Sequence, residues 1–433
     1  PAEYYLKNRE PVWCEQVYGL SYLRQLLNSR TEYCENNSSS SITCFGIKIC
    51  DNCQRDNFCI VSNMAVNTTS KVKPFSLDCK LKDLGQIGPG GATPIGKFKK
   101  YMFDTGPRET FQSFIQNITH PAPGQLEKAA QACKNHKNNK EWKIFFKRDG
   151  TNQHGSHPWH GLMELFSFYL SLDVLRSGTS PLLNDEEMAK AQVVLLDEFS
   201  PGDFFSLWSL FTKKPVIRIE DLRSQLSHED ACLDNVIMPL AGASNPLWKG
   251  DWRIHNCRQS AILDVFVNRL MTHYGIVPDH RDPKSAIKVV FLTRPRRRKL
   301  YNQDHLISLL KQRFPHGVNM TAVDLWSMNI TERIQLMSET DLLVGVHGSE
   351  ITFQMFQPIG SSVVEIQPDG FNHFGFRNLA ALRGQRYFRA HADFDKEAGW
   401  QKTREVTIED ERFISLVEAA IKSVLQRGKH HAD

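Results

Sequence analysis

Thr340-Asp-Leu-Leu-Val-Gly-Val-His347-Gly348-Ser349-Glu350-Ile-Thr-Phe353 is the stretch that decides the fold. Leu342 to Val346 is an apolar run with the length and composition of a buried parallel strand. It ends in His-Gly-Ser, and the chain resumes with helix-like spacing at Ile351, Phe353, Met355 and Phe356. A strand, a tight turn and a helix N-terminus are predicted. Such a turn presents backbone N–H groups and the positive end of a helix dipole, a seat for a pyrophosphate. After Pro358-Ile-Gly360, a second strand from Ser362 to Ile366 carries Glu365, a carboxylate suited to ribose hydroxyls. The same pattern also fits an ordinary β-α-β unit with a structural histidine, because one glycine-containing turn is a weak signature.

Outward from this unit, strands and helices alternate. Strands are predicted at Lys288 to Thr293, Trp142 to Phe146 and Val193 to Leu196. Helices are predicted at Gln303 to Phe314, Thr331 to Thr340 and Glu409 to Gln426, with a strongly apolar one from Trp159 to Leu175 and another from Cys257 to Tyr274. Alternation of this kind indicates α/β domains with parallel sheets. The division expected is a Cys-rich region over 1–84, an α/β domain over 85–280 and a second over 281–433 with a C-terminal helix.

Seven of the ten cysteines fall within the first 80 residues. Cys50-Asp-Asn-Cys53 has no second Cys pair and no His nearby, so disulfides are a better reading than zinc. Disulfides imply an oxidising compartment. Asn36, Asn37, Asn67, Asn117, Asn319 and Asn329 each head an Asn-x-Ser/Thr triplet, which agrees with the lumen of the secretory pathway. The net charge of +5 is small for 433 residues and gives no case for a nucleic-acid binder. No apolar run approaches the roughly 18 residues of a membrane span. The chain opens Pro1-Ala-Glu-Tyr without Met, as a processed chain would, and it closes Lys429-His-His-Ala-Asp433.

Three constellations bear chemistry. The first is the exit of the strand at 288–293, Arg294-Pro-Arg296-Arg297-Arg298-Lys299-Leu-Tyr-Asn302. Strand C-terminal ends are where α/β sheets bind ligands, and arginine forks suit a diphosphate. A solvated basic turn is the plain alternative. The second is His160 and Glu164, four apart at a helix start and therefore on one face. One can act as a general base while the other orients it, or they can form a structural pair. The third comprises Asp393-Phe-Asp395 and Asp197-Glu198, carboxylate pairs of metal-binding spacing, and His154, His157 and His160, whose alignment Pro158 interrupts. A surface loop is the simpler reading of the Asp pair, and no metal site is expected.

These residues resemble glycosyltransferase family 61, in particular its branch of EGF-domain-specific O-linked N-acetylglucosamine transferases. The family pattern Asp-x-x-x-Gly followed by His-Gly-Ala-Gly-Leu-Thr-His is similar to Asp341 to Phe353. Its strand-end Arg, second Arg and Asn match Arg294, Arg298 and Asn302, and its helix-start His-x-x-x-Asp matches His160 and Glu164. Weaker matches extend over roughly residues 30–425. The departures are Ser349 and Glu350 for Ala and Gly, Phe353 for the second His, and Glu164 for Asp.

The resemblance implies a GT-B-type fold, with two Rossmann-like α/β domains facing a cleft and a disulfide-rich N-terminal region. It implies inverting transfer from a UDP-sugar, with GlcNAc as the sugar, to a hydroxyl of a secretory-pathway protein or glycan. UDP-xylose is the alternative donor, and a non-catalytic glycan-binding protein is the alternative of another class. Arg294, Arg298, Asn302, His347, Gly348, Ser349, Glu350 and Glu365 would bind the donor in the C-terminal domain, and His160 and Glu164 would serve the acceptor side. No tightly bound cofactor, divalent metal or nucleic acid is expected, and the expected compartment is the endoplasmic reticulum or Golgi lumen.

Overall fold

The apolar runs picked out by periodicity become strands of two separate sheets. A computed structural model of the chain describes residues 11–49, 55–83, 93–101, 105–134, 136, 140–150, 157–226, 231–250, 253–277, 285–294, 298–393 and 405–426. Cys50, Cys53, His154, Arg296, Arg297, Asp395 and most of the Gly/Pro-rich stretch at 85–96 lie outside the described residues. The chain divides into two compact units. One comprises Glu15–Ser156 and His160–Lys249, and the other Pro1–Cys14, His157–Trp159 and Gly250–Asp433.

The first unit holds eight strands: β1 (Thr31–Glu32), β2 (Ser41–Ile47), β3 (Asp56–Val66), β4 (Phe75–Ser76), β5 (Trp142–Phe146), β6 (Gln192–Leu195), β7 (Ile217–Arg218) and β8 (Ala231–Met238). Their order is β1-β2-β3-β8-β5-β6-β7, with β4 on β3. β8, β5, β6 and β7 run parallel. β3 pairs antiparallel with β8, from Cys59 opposite Met238 to Val66 opposite Ala231. The Cys-rich segment is therefore half of a mixed sheet, not a region apart, and the unit is not a purely parallel Rossmann-like domain. The reason is burial: most of β3 and β8 is buried, so the backbone groups of each need a strand partner along both edges. Three disulfides brace this unit. Cys44 and Cys59 are directly opposed on β2 and β3, Cys34 joins Cys79, and Cys133 joins Cys232 on β8.

Helix α1 (Pro158–Arg176) crosses the unit, with proline at its first position. It is buried along its length except at His160, Asp173 and Arg176, which explains why its sequence is apolar all round. A short helix, α2 (Pro246–Gly250), follows β8.

The second unit contains β9 (Ile287–Leu292), β10 (Lys299–Leu300), β11 (Val318–Val323), β12 (Leu342–Val346), β13 (Ser362–Gln367), β14 (Arg386–His391) and β15 (Glu405–Val406). Its helices are α3 (Ala261–His273), α4 (Gln303–Arg313), α5 (Ile330–Ser338), α6 (Gly375–Leu382) and α7 (Asp410–Gln426). Five strands form an all-parallel sheet in the order β11-β9-β12-β13-β14, and β10 and β15 form a separate pair. Counted along the chain, the sheet reads 2-1-3-4-5, a doubly wound order whose direction reverses between β9 and β12. Phe413, Val417 and Ile421 of α7 pack into the core with Phe291, Val344 and Val364. Cys14 is bonded to Cys257 in this unit.

The turn after β12 leads into a 3-10 helix, Ser349–Phe356, rather than an α-helix. Glu350 to Phe356 are all buried, so the apolar spacing over these few residues does not separate a period of 3.6 from one of 3.0. The six triplet-heading asparagines are all exposed. Among the described residues, no helix is long and apolar enough to cross a membrane.

The disulfides should contribute unequally. Cys133–Cys232 closes 99 residues and Cys44–Cys59 closes 15. Chain entropy assigns them about 5 and about 3 kcal/mol respectively. In urea titrations the C133S/C232S variant should unfold at lower denaturant than C44S/C59S, and the reverse order would reject the loop-length argument.

Candidate functional site

In doubly wound sheets ligands bind beyond the strand C-terminal ends where strand order reverses. Here that point lies between β9 and β12. Arg294 follows β9, and His347 follows β12. At the other end of these strands Asp341 fixes their relative register. Its N–H donates to Lys288 O at 3.0 Å, its Oδ2 accepts from Lys288 N at 2.9 Å, and its carbonyl accepts from Ser362 N at 2.8 Å.

Arg294 Nη1 and Arg298 Nη1 each donate to His347 O at 2.8 Å. Arg298 has φ +54°, a left-handed conformation that costs a non-glycine residue about 1–3 kcal/mol and recurs at functional sites. The guanidinium groups dominate over any helix dipole at this turn. A charge-assisted hydrogen bond contributes about 1.5–3 kcal/mol, against about 0.3–1 kcal/mol for a helix terminus. Ser349 is half-buried at the start of the 3-10 helix. Glu350 is buried, with Oε2 3.3 Å from Arg294 Nη2 and Oε1 accepting from Trp326 Nε1 at 2.9 Å.

Glu365 is fully buried, and both its oxygens are engaged, Oε1 by His347 Nδ1 and Oε2 by the Tyr387 hydroxyl. Glu365 thus holds His347 from within β13, every residue of which is buried. Burial, reinforced by the Glu365 charge, pushes the Tyr387 phenol well above its ordinary range. The His347 ring lies 4.6 Å from Phe371, 5.2 Å from His373 and 5.4 Å from Phe376. Burial, with His347 nearby, holds His373 down at about 4. Asn302 is drawn elsewhere. Its Nδ2 donates to Asp410 Oδ1 at 3.1 Å, tying the start of α4 to the start of α7.

In the other unit, Arg148 and Asp149 lie just beyond the end of β5. Arg148 clasps Asp197, with Nη2 2.6 Å and Nε 3.1 Å from Oδ1. Asp149 Oδ2 lies 2.8 Å from His160 Nδ1, and Asp149 N–H donates to Glu164 Oε1. His160 and Glu164 are thus joined through Asp149, a residue the sequence reading left unassigned. Its position just beyond a parallel strand was the available signal. Glu164 is 2% exposed, and burial raises its pKa well above the ordinary carboxyl value. The N–H of Asp149 opposes that shift, the charges of Asp149 and Asp197 add to it, and Arg148 again opposes it. Glu164 borders a cavity of about 20 Å³ shared with Arg148, Gly161, Phe204 and Trp208, room for one water but not for a sugar. The His160 side chain keeps 14% of its surface exposed and lies edge-on to Trp248 at 5.3 Å. It is the member of this set that reaches solvent.

One carboxylate of each metal-type pair has a cationic partner: Asp197 is held by Arg148, and Asp393 pairs with Arg412. Among the described residues, no group of three or more His, Cys, Asp or Glu is placed to hold a metal ion.

Comparison with known proteins agrees with the motif resemblance. Residues 158–364 match the family model Glycosyltransferase 61, so the chain carries a domain of that family. The chain is 24% identical over 233 residues to the EGF domain-specific O-linked N-acetylglucosamine transferase of Drosophila melanogaster, covering 53% of this chain and 42% of the relative. The Bos taurus protein of that name is 24% identical over 291 residues, covering 64% and 52%. Protein O-linked-mannose beta-1,4-N-acetylglucosaminyltransferase 2 of Canis lupus familiaris is 26% identical over 211 residues, covering 45% and 34%. The chain spans about half the length, or less, of the curated relatives it matches.

Glu164 has a measurable signature independent of activity. Its folded-state pKa is raised, so the folded state binds more protons than the unfolded state above pH ~4.5, and stability falls as pH rises through that range. Gln keeps the acceptor oxygen for Asp149 N–H and does not titrate. The melting temperature of Glu164→Gln relative to the parent should therefore climb between pH 4.5 and 8. A constant difference would mean the carboxyl ionises normally.

Proposed function

We propose that this chain, through its glycosyltransferase 61 domain, is an inverting, UDP-sugar-dependent glycosyltransferase of the secretory-pathway lumen. In this reading it transfers N-acetylglucosamine to a hydroxyl of a protein or glycan, on a two-domain GT-B-type fold. The observation that carries the reading is the convergence of Arg294 and Arg298 on the His347 turn at the switch point of a 2-1-3-4-5 sheet. Two fixed cationic forks at that position suit a diphosphate, whose negative charge grows as it leaves. Glu365 and Tyr387 act behind the turn by fixing His347.

On the acceptor side, His160 takes the proton, with Asp149 holding its Nδ1 edge so that Nε2 serves as the base. The acceptor oxygen bonds to the anomeric carbon as the bond from that carbon to the UDP oxygen breaks on the opposite face. The proton passes to His160 and the electron pair to UDP, where Arg294 and Arg298 receive the charge. No tightly bound cofactor is invoked, and the arginines fill the role a divalent cation would have. The four disulfides among the described residues and the exposed Asn-x-Ser/Thr asparagines support a lumenal site of action.

A second reading, a non-catalytic glycan-binding protein on the same fold, draws support from the Glu350 carboxylate beside Arg294. Turnover separates the two: UDP is released in the presence of acceptor by an enzyme only.

Purified protein should melt at higher temperature with UDP-GlcNAc, and the shift should survive EDTA. A shift with UDP-xylose alone would change the donor, and no shift with any uridine nucleotide would overturn the reading. Arg294→Ala should weaken UDP at least tenfold. His160→Ala should lower kcat by roughly 10²–10⁴-fold with UDP affinity kept, and near-normal turnover would remove His160 as the base.

A further inference from the structure

Two guanidinium groups aimed at one carbonyl repel each other unless an anion lies close by. At the His347 turn that anion is supplied by the chain itself. The Glu350 carboxylate lies against Arg294, and a methyl group added to Gly348 would fall 1.9 Å from Arg294 Nη1 and 2.8 Å from Glu350 Oε2. Both charged groups therefore pass over the bare Cα of the turn, the place a bound phosphate would approach. We propose that Glu350 is an internal counter-ion seated in the anion site, and that a nucleoside diphosphate binds by displacing it from Arg294. The proposal rests on the donor-binding reading given above.

The pairing is built for exchange. The separation of 3.3 Å exceeds the 2.7–2.9 Å of a well-made charge-assisted hydrogen bond. Glu350 Oε2 is buried and makes no hydrogen bond, so its side of the contact is ionic only. Oε1, in contrast, is held by the Trp326 indole at 2.9 Å. Trp326 is 36% exposed, so its contact lies at the solvent side of the site. When Arg294 turns to a diphosphate, Glu350 keeps its Trp326 bond as it swings away. A diphosphate offers several charged oxygens to two arginines, whereas Glu350 offers one to Arg294 alone. The carboxylate thus raises the threshold for entry. Weakly charged anions gain little by displacing it, and a diphosphate gains more. It acts as a specificity-determining residue for the donor site.

Calorimetric titrations of the parent, Glu350→Gln and Glu350→Gly with UDP, and separately with inorganic pyrophosphate, test this. Gln keeps an acceptor for Trp326 and loses the charge, and Gly removes the side chain altogether. Both variants should bind both ligands at least tenfold more tightly than the parent, and the gain should vanish when Arg294→Ala is added. Equal affinity would overturn the proposal. Weaker affinity would also overturn it, because Glu350 would then be holding Arg294 in place for the ligand. A gain for pyrophosphate without uridine-nucleotide binding by any variant would support the counter-ion and remove the UDP-sugar reading. A circular-dichroism melt of each variant confirms that a lost affinity is not lost folding.

Discussion

The C-terminal site depends on one buried residue, Asp341, which bonds through its backbone and its carboxylate at the opposite end of the strands. Asp341 bonds to both the N–H and the carbonyl of Lys288 on the β9 side, and to the N–H of Ser362 on β13. Three parallel strands are thereby locked in register at their N-terminal ends. Parallel pairing has no hairpin to set its register, so such a clamp matters more than in an antiparallel sheet. Arg294 and His347 lie equally far along the chain from Lys288 and Asp341, so the clamp at one end brings them together at the other. Gly345 assists, since a side chain there would press on Leu292 of β9 at 3.1 Å. The Asp-x-x-x-Gly spacing that precedes the His-Gly turn is thus a registration device, and the turn is its product.

The sequence was most legible where one period governs a whole element. Leu342–Val346 is a strand over the residues expected, and Trp142–Phe146 likewise. The apolar helix expected over Trp159 to Leu175 runs Pro158–Arg176. Long-range pairing was not legible. Nothing in the Cys-rich stretch announces that β3 will lie beside β8, because their pairing joins segments far apart in the sequence. The partners of Glu365 were not legible either, since all of Ser362–Gln367 is buried and alternation carries no direction. Asp149 was missed because it belongs to a loop, where spacing has no period and partners are met only in three dimensions.

The two units handle buried charge differently. Around His160, acidic groups outnumber basic ones: Glu164, Asp149 and Asp197 surround Arg148, and Arg148 is already committed to Asp197. Burial, with the neighbouring carboxylates, raises the pKa of Glu164, since a buried ion is costly. Around His347 the charges are matched, with Arg294 and Arg298 facing its carbonyl, Glu350 beside Arg294 and Glu365 on the imidazole.

The turn itself explains which of its residues can differ from the family pattern. Gly348 has φ 174°, an extended conformation open to any residue, so backbone freedom is not what requires glycine there. Space is what requires it, since Arg294 Nη1 passes where a Cβ would be. Position 350 carries no such restriction. Its side chain turns back over the same glycine, away from the 3-10 helix, and finds a donor in Trp326 and a cation in Arg294. A glycine there would leave the indole N–H and one face of Arg294 to solvent or ligand, whereas glutamate supplies both with a partner from within the chain. The substitution therefore leaves the strand, the register and the arginine pair as they are, and changes only what the anion seat holds before a ligand arrives.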